Sequence, residues 1–167
     1  MRALTQNQRM SFRPVRLPPD VTGQLWLGSM PGRFEAWPVF QTSAERAKLA
    51  LVVCLTPRNE LSELSPDYHA AVVAGRVPFR WQQTTMRNFG LPEDAAGFRR
   101  DIHAIADALR AGDGVLLHCA AGMGRTGTAA ACVLKALGLP PDEALTRVRE
   151  AGSNPQNAEQ SGLVDWF

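Results

Sequence analysis

The chain has 167 residues, 45% of them hydrophobic and 20% charged, with a formal net charge of +2. That length suits one domain with a proper core, and so mild a charge makes no case for nucleic acid; recognition of an anion would rest on local positive potential. No apolar run reaches membrane-spanning length, and no charged n-region leads into an apolar h-region, a pattern that reads as a cytoplasmic protein without membrane contact.

Residues 1–16 hold Arg2, Arg9, Arg13 and Arg16 and no acid, so 1–17 is expected to be a flexible, solvated basic arm. Pro18-Pro19-Asp20 marks the entry to a single domain over 18–167. A first strand is expected over 24–29, a short helix over 43–49 capped by Thr42 or Ser43, and a central strand over 50–55. Residues 60–74 read as a helix interrupted at Ser65-Pro66, and 77–84 as another strand. From Glu93 to Arg110 the apolar spacing is helical, with Phe98, Ile102, Ile105 and Leu109 on one face and His103 off it. Gly114 to His118 reads as a buried strand, and Thr128 to Leu137 as a helix that Gly138 ends. Pro141-Asp142-Glu143 opens a further helix with Leu145 and Val148 inward. The last helix, after Pro155, carries Leu163, Trp166 and Phe167, expected to dock on the core; Trp26, Trp37 and Trp81 read as core or pocket wall. Alternating strands and helices imply an α/β fold whose central, mainly parallel sheet of four to five strands is flanked by helices.

The three cysteines, Cys54, Cys119 and Cys132, are odd in number and form no close-spaced pair. This argues against a disulfide framework and against zinc, and no metal or other cofactor is expected. Cys54 and Cys132 read as buried fillers. The strand of Cys54 is expected to neighbour that of Cys119, so an oxidative pairing of the two is conceivable.

The most informative run is His118-Cys119-Ala120-Ala121-Gly122-Met123-Gly124-Arg125-Thr126-Gly127. It joins a strand to a helix, at the carboxyl end of a central strand where such folds place ligands. Backbone N–H groups of such a loop point inward, and the helix N-terminus adds roughly half a positive charge. Gly122 and Gly124 permit the backbone angles of a tight cradle. The thiolate is the reactive form of cysteine, and helix N-termini and cations favour it. Arg125 offers a planar fork matched to phosphoryl oxygens, and Thr126 a hydroxyl near the sulfur. Together these residues suit nucleophilic catalysis through a phosphocysteine, with 120–125 holding the phosphate. A cysteine ending a strand is often only a small core residue, but Cys-x5-Arg with this flanking pattern demands many coincidences.

His-Cys-x-x-Gly-x-x-Arg-Thr-Gly resembles the signature of the cysteine-based protein tyrosine phosphatases, and the compact chain resembles their dual-specificity branch. Leu25 to Ser29 resembles the opening strand of that family, and Leu51 to Thr56 with Glu60-Leu61 its second core strand and exit. Gly152 to Gln160 resembles the late segment whose glutamine positions water. The stretch from Val53 to Leu61 is similar to kinase-associated phosphatases. The resemblance implies metal-free, two-step hydrolysis of phosphomonoesters, chiefly phosphotyrosine in proteins, by a monomer. It makes Cys119 the nucleophile, Arg125 the phosphate clamp, Thr126 the support of the thiolate, Gln160 the residue that positions water, and His118 a support of the loop.

One position departs from the family pattern. Its general acid is an aspartate ahead of a residue–Gly–residue–Pro run; here Phe89, Gly90, Leu91 and Pro92 fit the run, but Asn88 holds the aspartate's place. An amide cannot donate a proton as a carboxylic acid does, and general acid catalysis contributes about 10²–10⁴-fold. Glu93 and Asp94 follow closely. Either could substitute, although Pro92-Glu93-Asp94 also looks like an ordinary helix start. Alternative readings are an inositol phosphate or phosphoinositide phosphatase, disfavoured because Ala120, Ala121 and Met123 stand where such relatives carry lysines, and a phosphoprotein-binding module with weakened catalysis. An arsenate-reductase-like thiol chemistry lacks a resolving cysteine close in sequence.

Overall fold

Five short strands and seven helices alternate along the chain in a computed structural model that describes residues 11–88 and 90–167. The strands are β1 (Phe12–Val15), β2 (Gln24–Gly28), β3 (Leu49–Cys54), β4 (Arg80–Gln83) and β5 (Gly114–His118). They form one sheet in the order β1-β2-β5-β3-β4, parallel except for β1, which runs antiparallel to β2. This is the expected α/β architecture with a central, mainly parallel sheet.

Successive side chains of a strand point to opposite faces, and the core divides accordingly. Leu25, Leu27, Leu51, Val53, Val115 and Leu117 face one cluster, which holds the buried sides of α4 (Ala95–Arg110), α5 (Gly124–Ala136), α6 (Pro141–Glu150) and α7 (Ala158–Trp166). Val52 and Leu116 face the other, with Phe40 and Ala44 of α1 (Trp37–Arg46). Met30, Cys54, Leu61 and Tyr68 form a third cluster with α2 (Arg58–Leu64) and α3 (Pro66–Val73). Because both faces are covered, β5 reads as an unbroken apolar run. Helix α5 is buried at every position from Gly124 to Leu134, which explains its alanine-rich, unpatterned sequence.

Several boundaries differ from the sequence reading. The basic arm expected over 1–17 is in part a strand: Phe12 and Val15 are buried and β1 pairs with β2, while residues 1–10 lie outside the described part. Its proline, Pro14, is tolerated because β1 is an edge strand. Helix α1 starts at Trp37, not 43, because Pro38 fits the first turn of a helix; Leu49 belongs to β3. The break at Ser65-Pro66 separates α2 from α3 as expected. Helix α4 presents the expected face, and exposed His103 stacks on Phe167 at 5.6 Å. In α6 the inward positions are Ala144, Arg147 and Val148, with Leu145 half-buried. Trp166 does not dock: it is 63% exposed, beneath the guanidinium of Arg99. Among the described residues, no helix is long and apolar enough to cross a membrane.

Candidate active site

β5 ends at His118 in the middle of the sheet, and the chain turns through 119–123 into α5, which opens at Gly124, inside the motif. The turn depends on Gly122. Its φ is +75°, and a Cβ there would lie 2.6 Å from the carbonyl carbon of Gly28, so the loop is wedged against the end of β2. The N–H of Gly122 donates to Cys119 Sγ at 3.3 Å. The Gly122 carbonyl, on its other side, accepts from Ser153 Oγ at 2.6 Å and from Arg13 Nη2 at 3.1 Å. Arg13 also donates from Nη1 to the Ala151 carbonyl at 2.6 Å. Burial pulls the Arg13 guanidinium below its ordinary value, and the Cys119 sulfur opposes that pull. The cation is therefore within electrostatic reach of the thiol, from a segment that sequence alone assigns to solvent.

Cys119 and Arg125 are each 3% exposed and line a common half-open cavity of about 280 Å³ with Ala120, Ala121, Met123 and Gly124. The other side of this cavity is built from Arg33, Glu60, Leu64, Asn88 and Gln156. Arg125 is held by Glu60 in a fork-to-fork ion pair, Nη1 to Oε2 at 2.8 Å and Nη2 to Oε1 at 3.3 Å. Nη1 also approaches the Met86 carbonyl at 3.4 Å. A larger cavity of about 380 Å³, walled by Trp37, Ala44, Lys48 and Phe79, is lined by no cysteine, serine or threonine.

His118 is fully buried behind the loop. Trp81 Nε1–H donates to the Tyr68 oxygen at 2.8 Å, so the Tyr68 O–H donates to His118 Nε2 at 2.7 Å. That assignment leaves the imidazole proton on Nδ1, 3.2 Å from the Cys119 carbonyl, which accepts it. Burial pushes His118 down to about 4; the bond to the Cys119 carbonyl works against that and the charge of Arg125 with it. Imidazole is thus neutral at neutral pH and braces the peptide that carries the sulfur.

The remaining expected residues fall into two groups. Asn88 faces the cavity from an exposed turn, closed by the bridge between Met86 and Pro92, with Phe89 outside the described residues. Gln160 is buried one step back: its Oε1 accepts from the Gln156 N–H at 2.8 Å, and it is Gln156 that lines the cavity. Both carboxamides press on Gly124, where a Cβ would meet them at 2.6 and 2.9 Å. Thr126 does not bond the sulfur. Its Oγ1 is buried without a partner among the described residues, and Sγ takes the Gly122 N–H instead.

Asp94 is not brought to the cavity either. It caps α4, accepting from the Gly97 N–H at 3.0 Å, and with Glu93 it lines a separate hollow near Thr84 and Asp101. Pro92-Glu93-Asp94 thus stands at the start of α4, with Asp94 as its N-cap. The carboxylate that does line the cavity is Glu60, with both oxygens engaged by Arg125. Cys54 is a free, buried thiol, pushed up by burial, with Sγ 3.2 Å from Thr56 Oγ1; Cys119 and Cys132 are free as well. Sequence reasoning missed Arg13, Arg33, Tyr68 and Gln156 and did not assign Glu60 to Arg125. Of these, only Glu60 and Gln156 stood inside stretches already recognised as family-like.

Comparison with known proteins places this geometry. The profile described as "Tyrosine phosphatase family" matches residues 47–146. No curated protein sequence matches the chain significantly. Among solved structures, a kinase associated phosphatase with serine substituted for its catalytic-site cysteine superposes with a TM-score of 0.79 at 18% identity, over 93% of this chain and 92% of that one. Tk-PTP in its active form gives 0.68 at 24% identity, over 89% and 95%. PTPMT1 in complex with PI(5)P gives 0.67 at 18%, over 86% and 88%. Identities this low speak for the fold alone. The profile match is the stronger finding, since it covers more than half of the chain and runs from the approach to β3 through the cysteine loop into α6: the chain belongs to the tyrosine phosphatase family.

Proposed function

We propose that the protein is a metal-independent phosphomonoester hydrolase, a protein tyrosine phosphatase of the dual-specificity kind that works through a phosphocysteine. The observation that carries this reading is the shared cavity of Cys119 and Arg125, with the Gly122 N–H on the sulfur. In the first step the Cys119 thiolate attacks phosphorus; an S–P bond forms as the ester P–O bond breaks, and the leaving oxygen takes up a proton. In the second step water attacks the phosphocysteine, the S–P bond breaks, and inorganic phosphate leaves. Arg125 and the inward N–H groups of 120–124 stabilise the equatorial oxygens. Glu60 fixes the Arg125 fork, and Gln156 with Gln160 behind it supplies carboxamides to orient the water.

Proton donation to the leaving group is the incomplete part. With Asn88 in the cavity wall and Asp94 committed to a cap, phenols, with a pKa near 10, leave far more readily than the alkoxides of serine or threonine. Phosphotyrosine in proteins is therefore the substrate class best served by this site. A cytoplasmic monomer is the setting we infer.

The test is turnover of p-nitrophenyl phosphate and a phosphopeptide panel, with Cys119→Ser as the blank. Activity that vanishes in the variant supports the reading, whereas activity that survives it overturns the mechanism. Asn88 also supports a second reading, a phosphoprotein-binding module with weakened catalysis. Tight phosphopeptide binding by the wild-type chain without turnover of any ester would select it.

A further inference from the structure

The loop itself carries no cation besides Arg125, which sequence alone counts against inositol phosphates and phosphoinositides. The structure adds a second cation from elsewhere. Arg33, in the loop between β2 and α1, lines the cavity beside Cys119. Its Nη1 donates to the Ala120 carbonyl at 2.8 Å, an oxygen that also accepts the Met30 N–H at 3.3 Å. Its guanidinium lies over the ring of Phe34, 4.5 Å from the centroid, and that ring is 67% exposed.

Two features separate Arg33 from a structural strut. A guanidinium has five N–H donors, and among the described residues Arg33 uses one. Arg125 is matched by Glu60, whereas no carboxylate pairs with Arg33 among the described residues. Arg33 is then the cation of the cavity wall without a counter-charge. The cavity, at about 280 Å³, has the volume of roughly nine waters, more than one phosphoryl group fills.

We propose that Arg33 forms an anion subsite next to the reacting phosphoryl position, and that the preferred substrates are phosphopeptides with a second anionic group, carboxylate or phosphate, beside the phosphorylated residue. This rests on the phosphatase reading above. The planar fork of Arg33 suits either anion, and Phe34 holds the guanidinium flat while offering its outer face to a neighbouring side chain. The rest of the wall favours a peptide over a lipid surface. Leu64, Asn88 and Met123 are uncharged, whereas anionic membranes are recognised by clusters of four to eight basic residues.

Binding to the Cys119→Ser protein tests the subsite without turnover. Calorimetry compares a phosphotyrosine peptide with neutral flanks, the same peptide with an adjacent glutamate or phosphothreonine, and a soluble inositol lipid bisphosphate. The doubly anionic peptides are expected to bind about tenfold tighter than the neutral one, the scale of one partly exposed charge-assisted pair. Adding Arg33→Met should remove that ratio, and Arg33→Lys should restore part of it. Equal affinity for all peptides overturns the proposal. So does an Arg33→Met loss that falls equally on all of them, which would make Arg33 a strut for the Ala120 carbonyl. Tighter binding of the lipid than of any peptide overturns it in favour of a headgroup. Failure of the phosphatase reading shows separately, as absent turnover of p-nitrophenyl phosphate by the wild-type chain.

Discussion

Acidification should destabilise this protein through one residue. His118 is neutral in both the folded and the unfolded chain above pH 6.5, so it adds no pH dependence there. Below 6.5 the unfolded chain takes up a proton that the folded one refuses until about pH 4. The unfolded state then binds more protons, and stability falls as pH falls. Each unit between the two values costs about 1.36 kcal/mol, so the full window of about 2.5 units costs roughly 3 kcal/mol, most of it already lost by pH 4.5. Against a total stability of about 5–15 kcal/mol, that is a large share. Urea unfolding between pH 7.5 and 4.5 measures it, with His118→Gln as the comparison, because carboxylates elsewhere titrate in both proteins and cancel. At pH 4.5 the wild-type chain should have lost roughly 2–3 kcal/mol more than the variant, each relative to its own value at pH 7.5. Parallel pH profiles for the two would refute the reasoning: His118 would then be able to charge inside the fold, and the Trp81–Tyr68–His118 chain of donors would be wrongly assigned.

Asn88→Asp restores a carboxylic acid to the cavity wall and should raise turnover of phenyl phosphate by about 10²–10⁴-fold. The gain should be smaller on p-nitrophenyl phosphate, and a basic limb should appear in the pH–rate profile; equal gains on both esters would show that the position does not protonate the leaving group. Gly122→Ala puts a Cβ 2.6 Å from the Gly28 backbone at a φ of +75°, so it should abolish turnover, with the displaced loop visible as lost affinity for vanadate. Arg13→Met leaves the Ala151 carbonyl without its donor and takes a cation from behind the sulfur. It should cost about 1–3 kcal/mol in denaturant titrations and slow iodoacetamide labelling of Cys119 at neutral pH.

The loop was legible because its chemistry is local. Cysteine, glycines and arginine lie within one turn of chain, between a strand and a helix whose patterns are clear. The helix start at Asp94 was legible for the same reason. What supports the loop is not local. Glu60, Tyr68, Arg33 and Arg13 reach it from 50 to more than 100 residues away in sequence, and nothing around them announces a partner. Sequence alone assigns Arg13 to solvent, because arginines without acids resemble an arm; only the pairing of β1 with β2 turns its side chain under Gly122. Trp166 failed in the opposite sense. An aromatic residue near the end of the chain suggested docking, but Phe167 fills the place against Phe98 at 6.2 Å and leaves the indole outside. Thr126 has the right position for the sulfur but no bond to it, a matter of rotamer that spacing cannot express.

The Arg13 tie also orders events during synthesis. Its two anchors beyond the loop, the Ala151 carbonyl and Ser153 Oγ, lie 138 and 140 residues further along. Synthesis from the N-terminus exposes β1 well before these anchors. A product cut short before Ala151 would carry Cys119 and Arg125 intact, yet its Gly122 peptide would lack both the serine and the arginine's second hold. The Gly122 peptide thus acquires both of its side-chain donors only when β1 and the segment after α6 have come together.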